Sequence, residues 1–135
     1  MITKQHGIQS IEERLNPNEA VQSSVLAYYK MESGVSGLVG VPNSHSVPFR
    51  GVLALTDSRL LFYGELTKKT PVFLEINLTS IKKIDEKKIP FALLKSIPGF
   101  IVTHDEKDIF ATQGNLDEFA NLKSFFEQVK NQINQ

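Results

Sequence analysis

Three histidines, one acidic turn and one serine among polar neighbours are the residues of this 135-residue chain whose types could do chemistry. His6, His45 and His104 stand far apart, and no two share the i,i+4 spacing that lets helical histidines close on a metal. His104, Asp105, Glu106 and Asp108 together could hold a cation or move a proton, but their order fits a charged hairpin turn better. Ser58 in Thr56-Asp57-Ser58-Arg59 lacks the Gly-x-Ser-x-Gly elbow and a placed base, so Asp57 and Arg59 are expected to fix a turn and pair with neighbours. Gly34, Gly37 and Gly40 are not followed by a helix start, which a phosphate-cradling loop requires. Cysteine is absent, and with it disulfides, Cys-based zinc sites and thiol nucleophiles. The expectation is no catalytic residue, no cofactor, no metal and no enzyme.

Binding is the more open question. Lys68, Lys69, Lys82, Lys83, Lys87, Lys88 and Lys95 outnumber Glu75, Asp85 and Glu86 in the middle of the chain. Such a cluster could hold an anionic membrane surface, each lysine contributing up to about 1 kcal/mol near charged lipid. The solvation and protection of edge strands explains it better. Val35, Leu38, Val39, Val41, Val47 and Phe49 are many apolar groups for the long Gly- and Pro-containing segment 32–49. They form a candidate interface, weighed against packing on their own domain. Nucleic acid is not expected: 15 basic and 15 acidic residues cancel, and Tyr28, Tyr29, Phe62 and Tyr63 read as core and sheet face, not as base-stacking platforms.

The positioning elements follow from periodicity. Ile8, Ile11 and Leu15 predict a short amphipathic helix ended at Asn16-Pro17-Asn18. Residues 21–31 predict a strand. The apolar runs Val52–Leu55 and Leu60–Tyr63 about Thr56–Arg59 predict an antiparallel hairpin. Val72, Leu74, Ile76 and Leu78 alternate after a polar turn at 67–71, and Ile81, Ile84 and Ile89 mark a lysine-rich strand. Residues 91–97 stay open between a helical turn and a loop. A second hairpin, 99–104 with 109–112, turns at 105–108. Last comes a helix with Asn115 and Glu118 as capping box and Leu116, Phe119, Leu122, Phe126, Val129 and Ile133 as an apolar stripe widened by Phe125. A sheet of about seven short strands must hide its inner face and its edges, which bending and a closing helix accomplish.

Asn18-Glu19-Ala20-Val21, the run Val52–Tyr63, Glu75-Ile76-Asn77-Leu78-Thr79-Ser80-Ile81 with Lys82-Lys83-Ile84, and the Phe119–Phe126 helix together resemble the bacterial pleckstrin-homology-like domains. The chain looks close to the YokE-like group and similar to GRAM-type modules. The resemblance spans residues 16–134. It implies a mainly β (α+β) fold: a strongly bent seven-stranded barrel or orthogonal sandwich capped by a C-terminal helix. It implies no shared reaction, since such domains bind lipids, peptides or each other. Lipid-binding members cluster Lys and Arg in the first inter-strand loop, where this chain has only His45 and Arg50.

The expected organisation is a helical extension at 1–15 and one domain at 16–135. The expected function is a non-catalytic binding or assembly module making protein–protein contacts or self-associating as a homo-oligomer. The alternative is peripheral binding to anionic lipid through Lys68–Lys95. The first ten residues carry no apolar run of the secretory kind, so the expected location is cytoplasmic, with the membrane periphery as the alternative.

Overall fold

Ile8 and Ile11, three residues apart, give one side of the first helix an apolar character, and a computed structural model of the chain places that helix, α1, at Lys4–Glu12. The structure describes residues 3–31, 49–67, 70–92, 95–112 and 116–134. Thr3 opens α1 with extended backbone, its hydroxyl accepting the His6 amide at 3.1 Å. Nine residues are too few for an independent helix in water, so packing must hold it. Fully buried Ile11, with Ile8 and Leu15 beside it, lies against Val52, Ala54, Leu61 and Tyr63.

Seven strands follow: β1 (Ser23–Met31), β2 (Phe49–Leu55), β3 (Arg59–Thr67), β4 (Thr70–Asn77), β5 (Lys83–Ala92), β6 (Lys95–Thr103) and β7 (Lys107–Ala111). They form one antiparallel sheet in the order β4-β3-β2-β1-β7-β6-β5, curled into a half-barrel. The predicted hairpin is β2–β3, with Leu55 opposite Leu60 and Val52 opposite Tyr63. Its apolar runs are continuous, not alternating, because both faces are covered. Leu53, Leu55, Leu60 and Phe62 point into the main core, while Val52, Ala54, Leu61 and Tyr63 point outward under α1. Gly51 faces Gly64 across the same pair. A Cβ on Gly51 would collide with the Phe62 ring and the Tyr63 carbonyl, so this close approach requires glycine.

The second half differs from expectation in its boundaries. Residues 91–97 are neither helical turn nor loop at their ends: β5 runs to Ala92 and β6 begins at Lys95. The polar turn at 67–71 is shorter than predicted, since Thr67 ends β3 and Thr70 starts β4. A 3-10 turn at Leu78–Ser80 leads from β4 towards β5, anchored by the Leu78 amide donating to the Ser58 carbonyl at 3.0 Å.

The closing helix α2 is Leu116–Ile133. Leu122, Phe125, Phe126 and Val129 are buried in the main core, with Phe119 and Ile133 packed at its margin. The Phe126 ring stacks on Phe100 at 4.7 Å and meets Phe110 at 6.0 Å; Phe110 continues to Phe62 and Tyr29. Leu116 departs from the predicted stripe: it is 83% exposed. At roughly 100° per residue it lies about 120° around the helix from Leu122, off the face that meets the sheet. The predicted cap Asn115 lies outside the described residues. No helix among the described residues is long and apolar enough to cross a membrane.

Candidate functional site

Arg59 ends the turn of the β2–β3 hairpin and is buried, a position that a guanidinium tolerates only with partners. Glu19, from the connector between α1 and β1, supplies them. It accepts from Arg59 Nε at 2.9 Å and Nη2 at 2.5 Å. Nη1 is paired with Glu75 of β4, and Nη2 also donates to the Arg14 carbonyl at 3.2 Å. Glu19 further accepts the Asn16 amide at 2.9 Å and the Thr56 hydroxyl at 2.7 Å. Hydrogen bonding from Arg59 is the main cause that lowers the Glu19 pKa to about 2, outweighing the desolvation that opposes it. The same pairing holds the guanidinium above its ordinary value. As the turn residues suggest, Arg59 locks the hairpin. Glu19, quoted in the sequence only as part of a motif, is the partner the sequence did not reveal.

A second polar cluster sits at the opposite ends of the strands. Asp108, at the start of β7, is buried and faces inward beside Phe110. It accepts the Tyr29 hydroxyl at 2.6 Å and meets His104 Nε2 at 2.7 Å. An ionised carboxylate only accepts, so Nε2 carries the proton. Burial, and after it the charge of Asp108 and the hydrogen bond to it, pushes the Tyr29 pKa well up. His104 and Asp108 are thus brought together, as a charged hairpin turn would bring them. Asp105 and Glu106 are not joined to them as ligands: no group of three or more His, Cys, Asp or Glu suited to a metal occurs among the described residues.

The apolar candidates Val35, Leu38, Val39, Val41 and Val47 lie outside the described residues. Phe49 is in strand β2, not in a loop, and its half-buried ring contacts Tyr29 at 5.6 Å and Phe62 at 6.0 Å. Of the lysines, Lys68 and Lys69 also lie outside the described residues, and the Lys95 side chain is not described. Lys82, Lys83, Lys87 and Lys88 are exposed, at or on β5. They do not share one side. Ile84 packs on the core and Glu86 reaches Lys123 of α2 at 3.6 Å, so alternation puts Lys88 on that face and Lys83 and Lys87 on the other. Lys83 pairs with Asp85 at 3.5 Å.

β5 and β4 are the two ends of the sheet order, and neither has a strand on its outer side among the described residues. Where β5 begins, a groove of about 180 Å³ opens between Ile81, Ile84 and Ile133, rimmed by Lys82, Lys83 and Lys130. Lys130 was not singled out in the sequence; its place beside Lys82 and Lys83 depends on how α2 crosses the sheet.

No family model matches the chain, and no curated protein matches it. Solved structures do. The C-terminal domain of an unknown protein from Leishmania infantum is 21% identical, covering 90% of this chain and 97% of its own, with a TM-score of 0.54. A pleckstrin homology domain from Shewanella amazonensis is 15% identical, covering 86% of this chain and 88% of its own, with a TM-score of 0.51. At such identities the likeness speaks for the fold alone. With seven curled antiparallel strands, the closing helix α2 and the short helix α1, the chain has the pleckstrin-homology-like fold.

Proposed function

We propose that this chain is a non-catalytic binding and assembly module that makes protein–protein contacts through a sheet edge, self-association at β4 first among them. The observation that carries the reading is the open sheet, whose order ends at β4 without a further strand among the described residues. An uncovered edge offers backbone donors and acceptors to another strand. β4 is the less guarded edge. It holds no lysine, its Val72, Phe73 and Leu74 are half-buried, and its one charged residue, Glu75, is already engaged by Arg59. Two copies of β4 pairing antiparallel about Leu74 would set Phe73 against Glu75 and Val72 against Ile76, with no like charges opposed. The non-catalytic part of the reading is supported by the polar clusters, whose strongest donors and acceptors are taken up by one another.

A membrane surface has less support, because alternation divides the β5 lysines between two faces and a flat anionic surface would reach one of them. Light scattering coupled to size exclusion tests the proposal: an oligomer is expected, and Val72→Lys, which puts a charge on the edge, is expected to shift it to monomer with the circular dichroism unchanged. A chain that stays monomeric at high concentration sinks the self-association.

A further inference from the structure

We infer that the cleft between the β2–β3 turn, the 3-10 turn after β4 and the last turn of α2 is a recognition pocket for an arginine side chain presented by a partner protein. The inference goes beyond the β4 reading and does not depend on it. In self-pairing about Leu74 the residue set opposite Asn77 is Pro71, which brings no cation to the cleft.

The cleft has a volume of about 350 Å³, at the small end of the range for ligand sites, and three segments distant in the chain build it. Direct bonds hold those segments together. The Leu78 amide donates to the Ser58 carbonyl at 3.0 Å, and Gln132 Nε2 donates to the Thr56 carbonyl at 3.2 Å. A shape fixed before the ligand arrives spares the cost of ordering it on binding. Buried Leu78 and half-buried Ile133 supply an aliphatic floor, which suits the methylene stem of a long cation.

The rim supplies acceptors. Asp57 is exposed and carries the charge among the lining residues, and its side chain makes no hydrogen bond or ion pair among the described residues. The side chains of Asn77 and Thr79 are likewise exposed and unengaged among the described residues. Gln132 uses its amide nitrogen on Thr56 and keeps its oxygen to accept, and the Ser58 hydroxyl, donating to Glu19 at 3.3 Å, can still accept. Acceptors spread around a rim match the five N–H donors of a planar guanidinium better than the three of an ammonium. Charge points the same way. Beside the turn Arg59 is answered by two carboxylates, Glu19 and Glu75, leaving an excess of one negative charge. Lys82, Lys83 and Lys130 line the neighbouring groove, which shares only Ile133 with this cleft. An open rim buries too little of a small free molecule to hold it well, whereas an arginine carried on a partner's backbone gains contacts from the chain on either side.

The test is a nuclear magnetic resonance titration of the full chain, labelled with nitrogen-15, against the capped peptide Gly-Ser-Arg-Ser-Gly. Versions with lysine or citrulline in place of arginine, and free ethylguanidinium, are titrated beside it. Saturable shifts of the Asp57, Ser58, Asn77 and Thr79 amides are expected with the arginine peptide, weakened by added salt. The lysine peptide should bind more weakly, and the citrulline peptide, which keeps the shape and loses the charge, should not bind. Asp57→Asn should weaken binding at least about tenfold. That carboxylate holds nothing in the described fold, so an unchanged unfolding midpoint is expected of the variant. No shifts, equal binding of the citrulline or lysine peptide, full affinity in Asp57→Asn, or shifts confined to β5 would each overturn the inference. Ethylguanidinium bound as tightly as the peptide would overturn it too, assigning the cleft to a free guanidinium compound. Light scattering on the same samples separates the two readings: a monomer that binds the arginine peptide leaves this pocket standing without self-association, and an oligomer indifferent to the peptide does the reverse.

Discussion

The two buried polar clusters tie equivalent features, a hairpin turn to a segment distant in the chain, by different physics. At the β2–β3 turn Arg59 meets Glu19, and charge answers charge with both side chains nearly excluded from water, at 8% and 4% exposure. At the β6–β7 turn Asp108 instead meets a phenol hydroxyl, that of Tyr29 at 2.6 Å, and the His104 ring nitrogen at 2.7 Å. The first cluster is stronger while intact and more costly to halve, because a lone buried ion has no cheaper state. The second loses a hydrogen bond at a time. Both sets of polar turn residues hold hydrogen bonds to groups distant in the chain.

The largest expected effect comes from breaking the ion pair. Glu19→Ala leaves Arg59 with only the exposed Glu75 as counter-ion and should lower stability by about 3 to 5 kcal/mol in denaturant unfolding. A loss below about 1 kcal/mol would show that solvent reaches Arg59 and that the pair is not a lock. Replacing both partners with methionine should cost less than the single change.

Acid and alkali should separate the clusters next. The folded Glu19 pKa lies below its unfolded value of 4.5, so its contribution is present above that value and lost as pH falls towards about 2. Over that window the pair contributes about 3 kcal/mol, at roughly 1.4 kcal/mol per unit. The folded Tyr29 pKa is raised, so its contribution is complete below about 10 and declines as pH climbs beyond it. Unfolding measured from pH 2 to 11 should therefore show an acid loss abolished in Glu19→Gln and an alkaline loss abolished in Tyr29→Phe. An acid limb unchanged in Glu19→Gln would remove the ion pair from the account.

Smallest is the neutral-pH cost of Tyr29→Phe. It removes one donor from Asp108 while the ring keeps its contacts with Phe62 and Phe110, so about 1 to 2 kcal/mol is expected. A cost equal to that of Glu19→Ala would erase the distinction between the clusters.

Much of this was legible in the chain. The runs at 52–55 and 60–63 with polar residues between them specify a hairpin because only a turn suits Thr-Asp-Ser-Arg among such neighbours. The α2 stripe is legible from Leu122 to Ile133, where spacing keeps the side chains on one face, and fails at Leu116, which the same periodicity places off it. The site was less legible. Glu19 and Arg59 lie 40 residues apart and Tyr29 and Asp108 79 apart, distances at which no local spacing speaks. The lysines were visible as a count, not as an arrangement: strand alternation splits them between faces, and Lys130 joins them only through the crossing of α2.

By itself, then, the sequence determined the elements and their faces, since period and turn chemistry act over a few neighbouring residues. It also determined that thiol chemistry and Cys-based metal sites are absent, because the residue type is absent. Only the tertiary structure decided which polar residues meet, that α1 covers the outer face of β2 and β3, and that the sheet ends in two unlike edges. Those are facts of pairing between distant segments, set by the burial of both sheet faces and by the curl that leaves β4 and β5 apart.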